Sequence, residues 1–275
     1  MMRAPDRFLP AAALACAVMS FVGCGDDTAS GPSNSDWRLV WEDDFEGPSG
    51  QLPDPANWRF DIGTDWGNAQ LEYDTDRADN VSLDGAGNLA ITAREEPYMG
   101  RDYTSGRITT KDLFEMQNGR FEARIRLPRG QGIWPAFWML GADFDEVGWP
   151  ACGEIDVMEY RGQEPSVVHG SLHGPGHSAG DAITRRFYLT DSTFDAEFHV
   201  FAVEWRGDSI DWWIDDQHFQ TVTSDDVPGE WVFDHPFYLI LNVAVGGTFV
   251  GPPDATTQFP QTMLVDWVRV YEEAP

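Results

Sequence analysis

Short β-favouring runs recur along the chain from residue 37 onward, each closed by a turn signal, and this recurrence limits the fold more than any other feature. The runs are Asn88 to Ala93, Gly119 to Leu127, Trp134 to Leu140, Glu154 to Tyr160, Val167 to Leu172, His199 to Trp205, Ser209 to Ile214, Tyr238 to Val245 and Met263 to Tyr271. They alternate in polarity or are rich in β-branched and aromatic residues. No helical periodicity and no repeat of fixed period lies between them, so the spacing predicts an all-β sandwich or barrel, a single domain over 37–275. The 12 Trp, 27 Gly and 18 Pro suit strands and turns better than a helical bundle. A hairpin over Asp211 to Phe219 is expected to turn at Asp215 and Asp216.

The first 23 residues read as an export signal: Arg3 and Arg7 precede an apolar stretch from Ala11 to Val22 that is too short to span a bilayer. Its ending, Phe21-Val-Gly-Cys24, resembles a bacterial lipobox, with Phe21 in place of the usual Leu. Acylation of Cys24 would then anchor an exported protein to a bacterial membrane, and without it the chain would be secreted. Residues 24–36 lack the apolar content to fold and are expected to form a flexible tether. Cys16 leaves with the signal and Cys24 takes the lipid, so Cys152 has no partner for a bridge and is expected to be a buried structural thiol. A formal charge of -28, from 18 basic and 46 acidic residues, argues against nucleic acid as a partner.

The chemistry concentrates in Glu154-Ile-Asp-Val-Met-Glu-Tyr160. On a regular strand Glu154 and Asp156 share a face, and Glu159, five positions on, points to the other. A bulge at Val157 or Met158 would return Glu159 to the face of the other two. Two glutamates so placed suit the paired-carboxylate hydrolysis of glycosides, and Asp156 between them would raise the proton affinity of its neighbours. Read alone, the same pattern also fits a solvated acidic face, and it lacks the Gly and terminal Glu of an EF-hand loop. Trp134 and Trp138, four apart, share a strand face; Trp134 is expected to be a sugar-stacking platform, while Trp138 suits core and cleft equally. His169, His173 and His177 do not form a zinc set, because His177 follows Gly174-Pro-Gly176 into a loop and no carboxylate or Cys completes a cluster.

These residues together resemble glycoside hydrolase family 16, and within it the bacterial laminarinase-like endo-1,3-β-glucanases. The resemblance rests on Gly153-Glu-Ile-Asp-Val-Met-Glu159 flanked by Trp149-Pro150, with Gly67-Asn68, Leu71-Glu-Tyr73, Thr104-Ser-Gly-Arg-Ile108, Trp134-Pro-Ala-Phe-Trp138, Asn242-Val-Ala-Val-Gly-Gly247 and Val265-Asp-Trp-Val-Arg-Val-Tyr271. It implies a curved, concanavalin-like β-jelly-roll with an open concave cleft, acting with retention on a β-glucan as a monomer, with no cofactor required for the chemistry. It further implies Glu154 as nucleophile, Glu159 as general acid/base, Asp156 as the residue tuning Glu154, and His173 as a cleft histidine. Asn68, Arg107, Trp134, Trp138 and Trp149 match sugar-subsite positions. A structural calcium is implied at the backbone of Asp44 and Gly87 and the side chain of Asp266. Two alternatives stay open: a non-catalytic glucan-binding protein of the same fold, and a relative acting on agar, galactan or xyloglucan. Sulfated polymers are disfavoured because Lys111 is the only lysine and basic residues are few.

Overall fold

A computed structural model describes residues 1–2 and 36–275 of the chain. The expected signal, tether and lipid site Cys24 therefore lie outside the described residues, save positions 1, 2 and 36. No helix among the described residues is long and apolar enough to cross a membrane.

The strands are β1 (Trp37–Asp43), β2 (Arg59–Phe60), β3 (Glu72–Asp74), β4 (Val81–Leu83), β5 (Leu89–Tyr98), β6 (Arg101–Ser105), β7 (Arg107–Thr109), β8 (Gly119–Arg126) and β9 (Ile133–Gly141). One helical turn, α1 (Phe144–Val147), precedes β10 (Glu154–Tyr160), β11 (Val167–His173), β12 (Ile183–Tyr188), β13 (His199–Arg206), β14 (Ser209–Ile214), β15 (Gln217–Thr223), β16 (Phe237–Val245) and β17 (Gln261–Glu273). They form the expected two-sheet jelly-roll sandwich. A seven-stranded antiparallel sheet runs β12-β11-β10-β9-β16-β7-β2, and a ten-stranded sheet is built on β15-β14-β13-β8-β17-β5-β6-β3, with β1 and β4 pairing at its flank.

Alternation explains how the sheets meet. On β9, Ile133, Phe137 and Met139 enter the core between the sheets; on β16, Leu239, Leu241, Val243 and Val245 do the same. Trp205 of β13 meets Phe237 of β16 across this core at 5.3 Å between ring centroids. The alternate residues Trp134, Ala136, Trp138 and Leu140, with Tyr238, Ile240, Asn242 and Ala244, lie on the outer face of the seven-stranded sheet. Ala136 and Asn242 are nevertheless buried, so loops wall this face into a trough.

The strands outside the expected runs are β1 to β4, β6, β7 and β12. β12 (Ile-Thr-Arg-Arg-Phe-Tyr) is an edge strand with one neighbour and mostly exposed side chains, which leaves too little alternation to read, whereas β15, the second arm of the expected hairpin, runs on past Phe219 to Thr223. The hairpin turn does fall at Asp215 and Asp216, between β14 and β15.

Candidate active site

β10 is bulged where the face of Glu159 depends on it. Asp156 pairs with Ser171 and Glu159 with His169, so Val157 and Met158 together oppose the single residue Gly170 on β11. On the other side Asp156 pairs with Trp138 and Met158 with Phe137. Val157 and Met158 both turn into the core, and Glu154, Asp156 and Glu159 share the trough. Gly153 introduces the strand at φ +74, where a Cβ would come within 2.9 Å of Phe237.

The solvated-face reading of these acids does not hold, since Asp156 is 2% exposed. Burial is the largest influence on all three, and mutual repulsion adds to it. Glu154 is pushed up to about 8 by desolvation and then by Asp156; Glu159 is pushed up to about 7 by desolvation and then by Glu154. Asp156 is raised well above the usual carboxylate range by desolvation and then by Glu159. The charge of Asp156, expected to raise its neighbours, comes second to burial at Glu154. The Glu154 and Asp156 carboxyls are close enough to act on each other, so they titrate together and the value at Glu154 belongs to the pair.

Each glutamate has an indole donor. Trp149 Nε1 donates to Glu154 Oε2 at 2.7 Å, and Trp134 Nε1 donates to Glu159 Oε1 at 3.1 Å. Ser171 Oγ donates to Glu159 Oε2 at 3.4 Å and accepts from Thr184 Oγ1 at 3.0 Å. His173 accepts the Ala179 N–H at Nδ1, which leaves the proton on Nε2, 3.0 Å from Asp156 Oδ2 and 3.9 Å from Glu154 Oε1. The ligand atoms of Glu154, Asp156 and His173 lie within 4.8 Å of one another, close enough for a metal ion, and the imidazole set between the two carboxyls gives the same spacing without one.

The subsite expectations fare unevenly. Trp134 is only 8% exposed and packs on Phe249, so it is a hydrogen-bonding wall and not an open stacking platform. Trp138 lies in the trough, not the core, with Nε1 donating to Asn242 Oδ1 at 2.8 Å. Arg107 stacks 4.9 Å from both Trp138 and Trp66 and pairs with Asp61 at 2.8 Å. Asn68 sits in an exposed loop at φ +54, its backbone carbonyl accepting from Thr248 N–H at 2.7 Å. Trp149 is 43% exposed at the Glu154 end of the trough. Sequence reasoning missed Trp66, Asp61, Asn242 and Ser171. Ser171 was within reach, lying two residues from both His169 and His173 on one strand face.

Cys152 is free and fully buried, and burial pushes its thiol up to about 12. His169 and His173 share a face of β11, while His177 lies beyond it, bridged to Gly174. The expected calcium positions belong to the other sheet. β1 ends with Asp43 opposite Val268 and β5 begins with Leu89 opposite Val265, so the register carries Asp44 and Gly87 to the stretch of β17 that holds Asp266. The Asp266 carboxylate, however, already accepts a hydrogen bond from Arg124.

A β-sandwich whose trough holds a bulged row of buried carboxylates, each glutamate fixed by an indole N–H, defines a glycoside hydrolase of the two-carboxylate kind. The family model for glycosyl hydrolases family 16 matches residues 64–269, and the chain belongs to that family. A β-glucanase of Rhodothermus marinus is 42% identical over 246 residues, covering 86% of this chain and 85% of its own. The laminarinase catalytic domain of Thermotoga maritima MSB8 superposes with a TM-score of 0.82 at 45% identity, over 88% of this chain and 100% of that one. The endo-β-1,3-glucanase of Pyrococcus furiosus gives 0.82 at 46% identity, over 86% and 95%.

Proposed function

We infer that the protein is an endo-acting, laminarinase-like β-glucanase that cleaves internal 1,3-linkages, or mixed 1,3-1,4-linkages, by double displacement. The observation that carries this reading is the bulge, which sets Glu154, Asp156 and Glu159 on one buried face with a separate indole donor on each glutamate. The matched laminarinases and β-glucanase supply the substrate class.

In the first step Glu159, kept protonated near neutral pH by burial, gives its proton to the glycosidic oxygen as Glu154 attacks the anomeric carbon. Asp156, beside Glu154 and 3.0 Å from the His173 imidazole, holds the attacking carboxylate in place. In the second step Glu159, now ionised and stabilised by Trp134 and Ser171, takes a proton from water, which displaces Glu154 with net retention. The indoles and Arg107 offer flat, weakly polar surfaces suited to a neutral sugar chain.

The test is release of reducing sugar from laminarin, with product anomers followed by NMR. Glu154→Gln and Glu159→Gln should each cost at least ~10³-fold in kcat, by analogy with loss of a nucleophile or general acid. Variants as fast as wild type would refute the assignment of these two glutamates, and a wild type that releases no sugar would make the protein a glucan binder.

The same reading includes two outlying features. A calcium ion where Asp44, Gly87 and Asp266 meet is supported by the strand register and by hard oxygen donors, and it would share Asp266 with Arg124. Export with acylation of Cys24 is supported by the leader sequence, and the mass of the mature N-terminus tests it.

A further inference from the structure

The bulge on β10 has a support that comes from the opposite sheet. Trp212, on β14, is fully buried, and its Nε1 donates to the backbone carbonyl of Asp156 at 2.8 Å. Asp156 is the last residue in register before the shift on both sides of β10. A bulge interrupts the ladder, and a buried carbonyl beside it needs a partner of its own. The indole crosses the core to provide one. Its path lies against Gly170, the single residue facing Val157 and Met158, where a Cβ would come within 2.6 Å of Trp212 Cδ1 and 2.9 Å of Nε1.

We propose that Trp212 is a positioning residue for catalysis: its N–H clamps the Asp156 carbonyl and fixes the bulge that keeps Glu154 and Glu159 on the same face, with Gly170 leaving room for the ring. The inference rests on the reading of those two glutamates as the reacting pair. Without the clamp the strand can relax toward regular pairing, which turns Glu159 away from Glu154 while leaving the trough walls unchanged. Loss of the N–H therefore acts on the chemical step more than on sugar binding.

The molecule contains its own control. Trp205, on the adjacent β13, is equally buried, and its Nε1 has no hydrogen-bond partner among the described residues. Trp212→Phe and Trp205→Phe remove the same atoms from the same core. With laminarin as substrate, Trp212→Phe should lower kcat on the order of 10- to 100-fold with KM within ~2-fold, the effect of a small misplacement of reacting groups. Trp205→Phe should leave kcat within ~2-fold even if its Tm falls as far. Replacing Trp212 by 3-benzothienylalanine, which keeps the indole shape without the N–H, should reproduce the loss of kcat and keeps the test decisive should phenylalanine leave too large a hole. Equal kcat losses at 205 and 212, or full activity with benzothienylalanine at 212, would overturn the proposal. Wild type without activity on any β-glucan would instead remove the functional reading on which it rests.

Discussion

In the proposed mechanism Glu159 serves as an acid in one half of the reaction and as a base in the other, and its two hydrogen-bond partners differ in what they can offer. The Trp134 N–H can only donate, which favours the carboxylate. The Ser171 hydroxyl can donate to the carboxylate or accept from the carboxylic acid, and Thr184, itself a hydroxyl, can follow either reversal. Ser171→Ala should lower kcat by roughly 5- to 10-fold, the worth of one ordinary hydrogen bond of about 1 kcal/mol, as suits its length of 3.4 Å. Loss of a donor to the ionised form raises the proton affinity of Glu159, so the alkaline limb of kcat/KM, set by a group already at about 7, should move to higher pH. The other titratable groups around Glu159 are Glu154 and Asp156 on its own strand, His173 and His169 on β11, and Arg186 and Arg161 beyond His169. An unmoved limb in the pH profile of Ser171→Ala would show that the hydroxyl does not tune Glu159. At this scale the three acids were legible because their spacing has few uses. Their partners were not, because nothing in a strand's sequence says which neighbour will lie beside it.

Among the elements, the segment between β2 and β3 forms a wall of the trough and is held from behind by two buried carboxyls. Glu72 Oε2 accepts the Val245 N–H at 2.8 Å, and Asp74 Oδ2 accepts the Trp66 indole N–H at 2.8 Å. Burial pushes Glu72 up to about 7 from 4.5, and burial followed by Glu72 raises Asp74 well above its usual range. The folded chain thus holds these protons more tightly than the unfolded one. The stability they lend is complete below the unfolded pKa and is lost as pH rises through the folded one. Glu72→Gln keeps an acceptor for Val245 without the ionisation, so it should match wild type at pH 4 and exceed it at pH 8 by up to ~3 kcal/mol. Thermal melts at the two pH values check this; equal differences at both would show that Glu72 does not titrate in this window. β12 shows a different element-scale logic: Arg185 and Arg186 stand on an edge strand, where charge discourages pairing with other chains.

At the scale of the molecule, the flank where β1, β5 and β17 converge decides whether a divalent cation stabilises the fold. Calcium at millimolar concentration should raise Tm by a few degrees over a chelator-treated sample, a shift worth about 1 kcal/mol in a domain of this size. A Tm indifferent to calcium would assign Asp266 wholly to Arg124. The sequence by itself determined the class of fold, the face of the catalytic strand that carries Glu154 and Asp156, and the need for one extra residue if Glu159 was to join them. These are consequences of period-two geometry, which acts over a few residues and is written in order along the chain. Only the tertiary structure decided that Trp134 would be a buried donor, that Trp138 would face the sugar side, that Trp66 and Asp61 would frame Arg107, and that Trp212 would reach the Asp156 carbonyl from 56 positions away in sequence. Those outcomes depend on which strands become neighbours and how two sheets stack, and that is settled by burial summed over the whole core and by no local pattern.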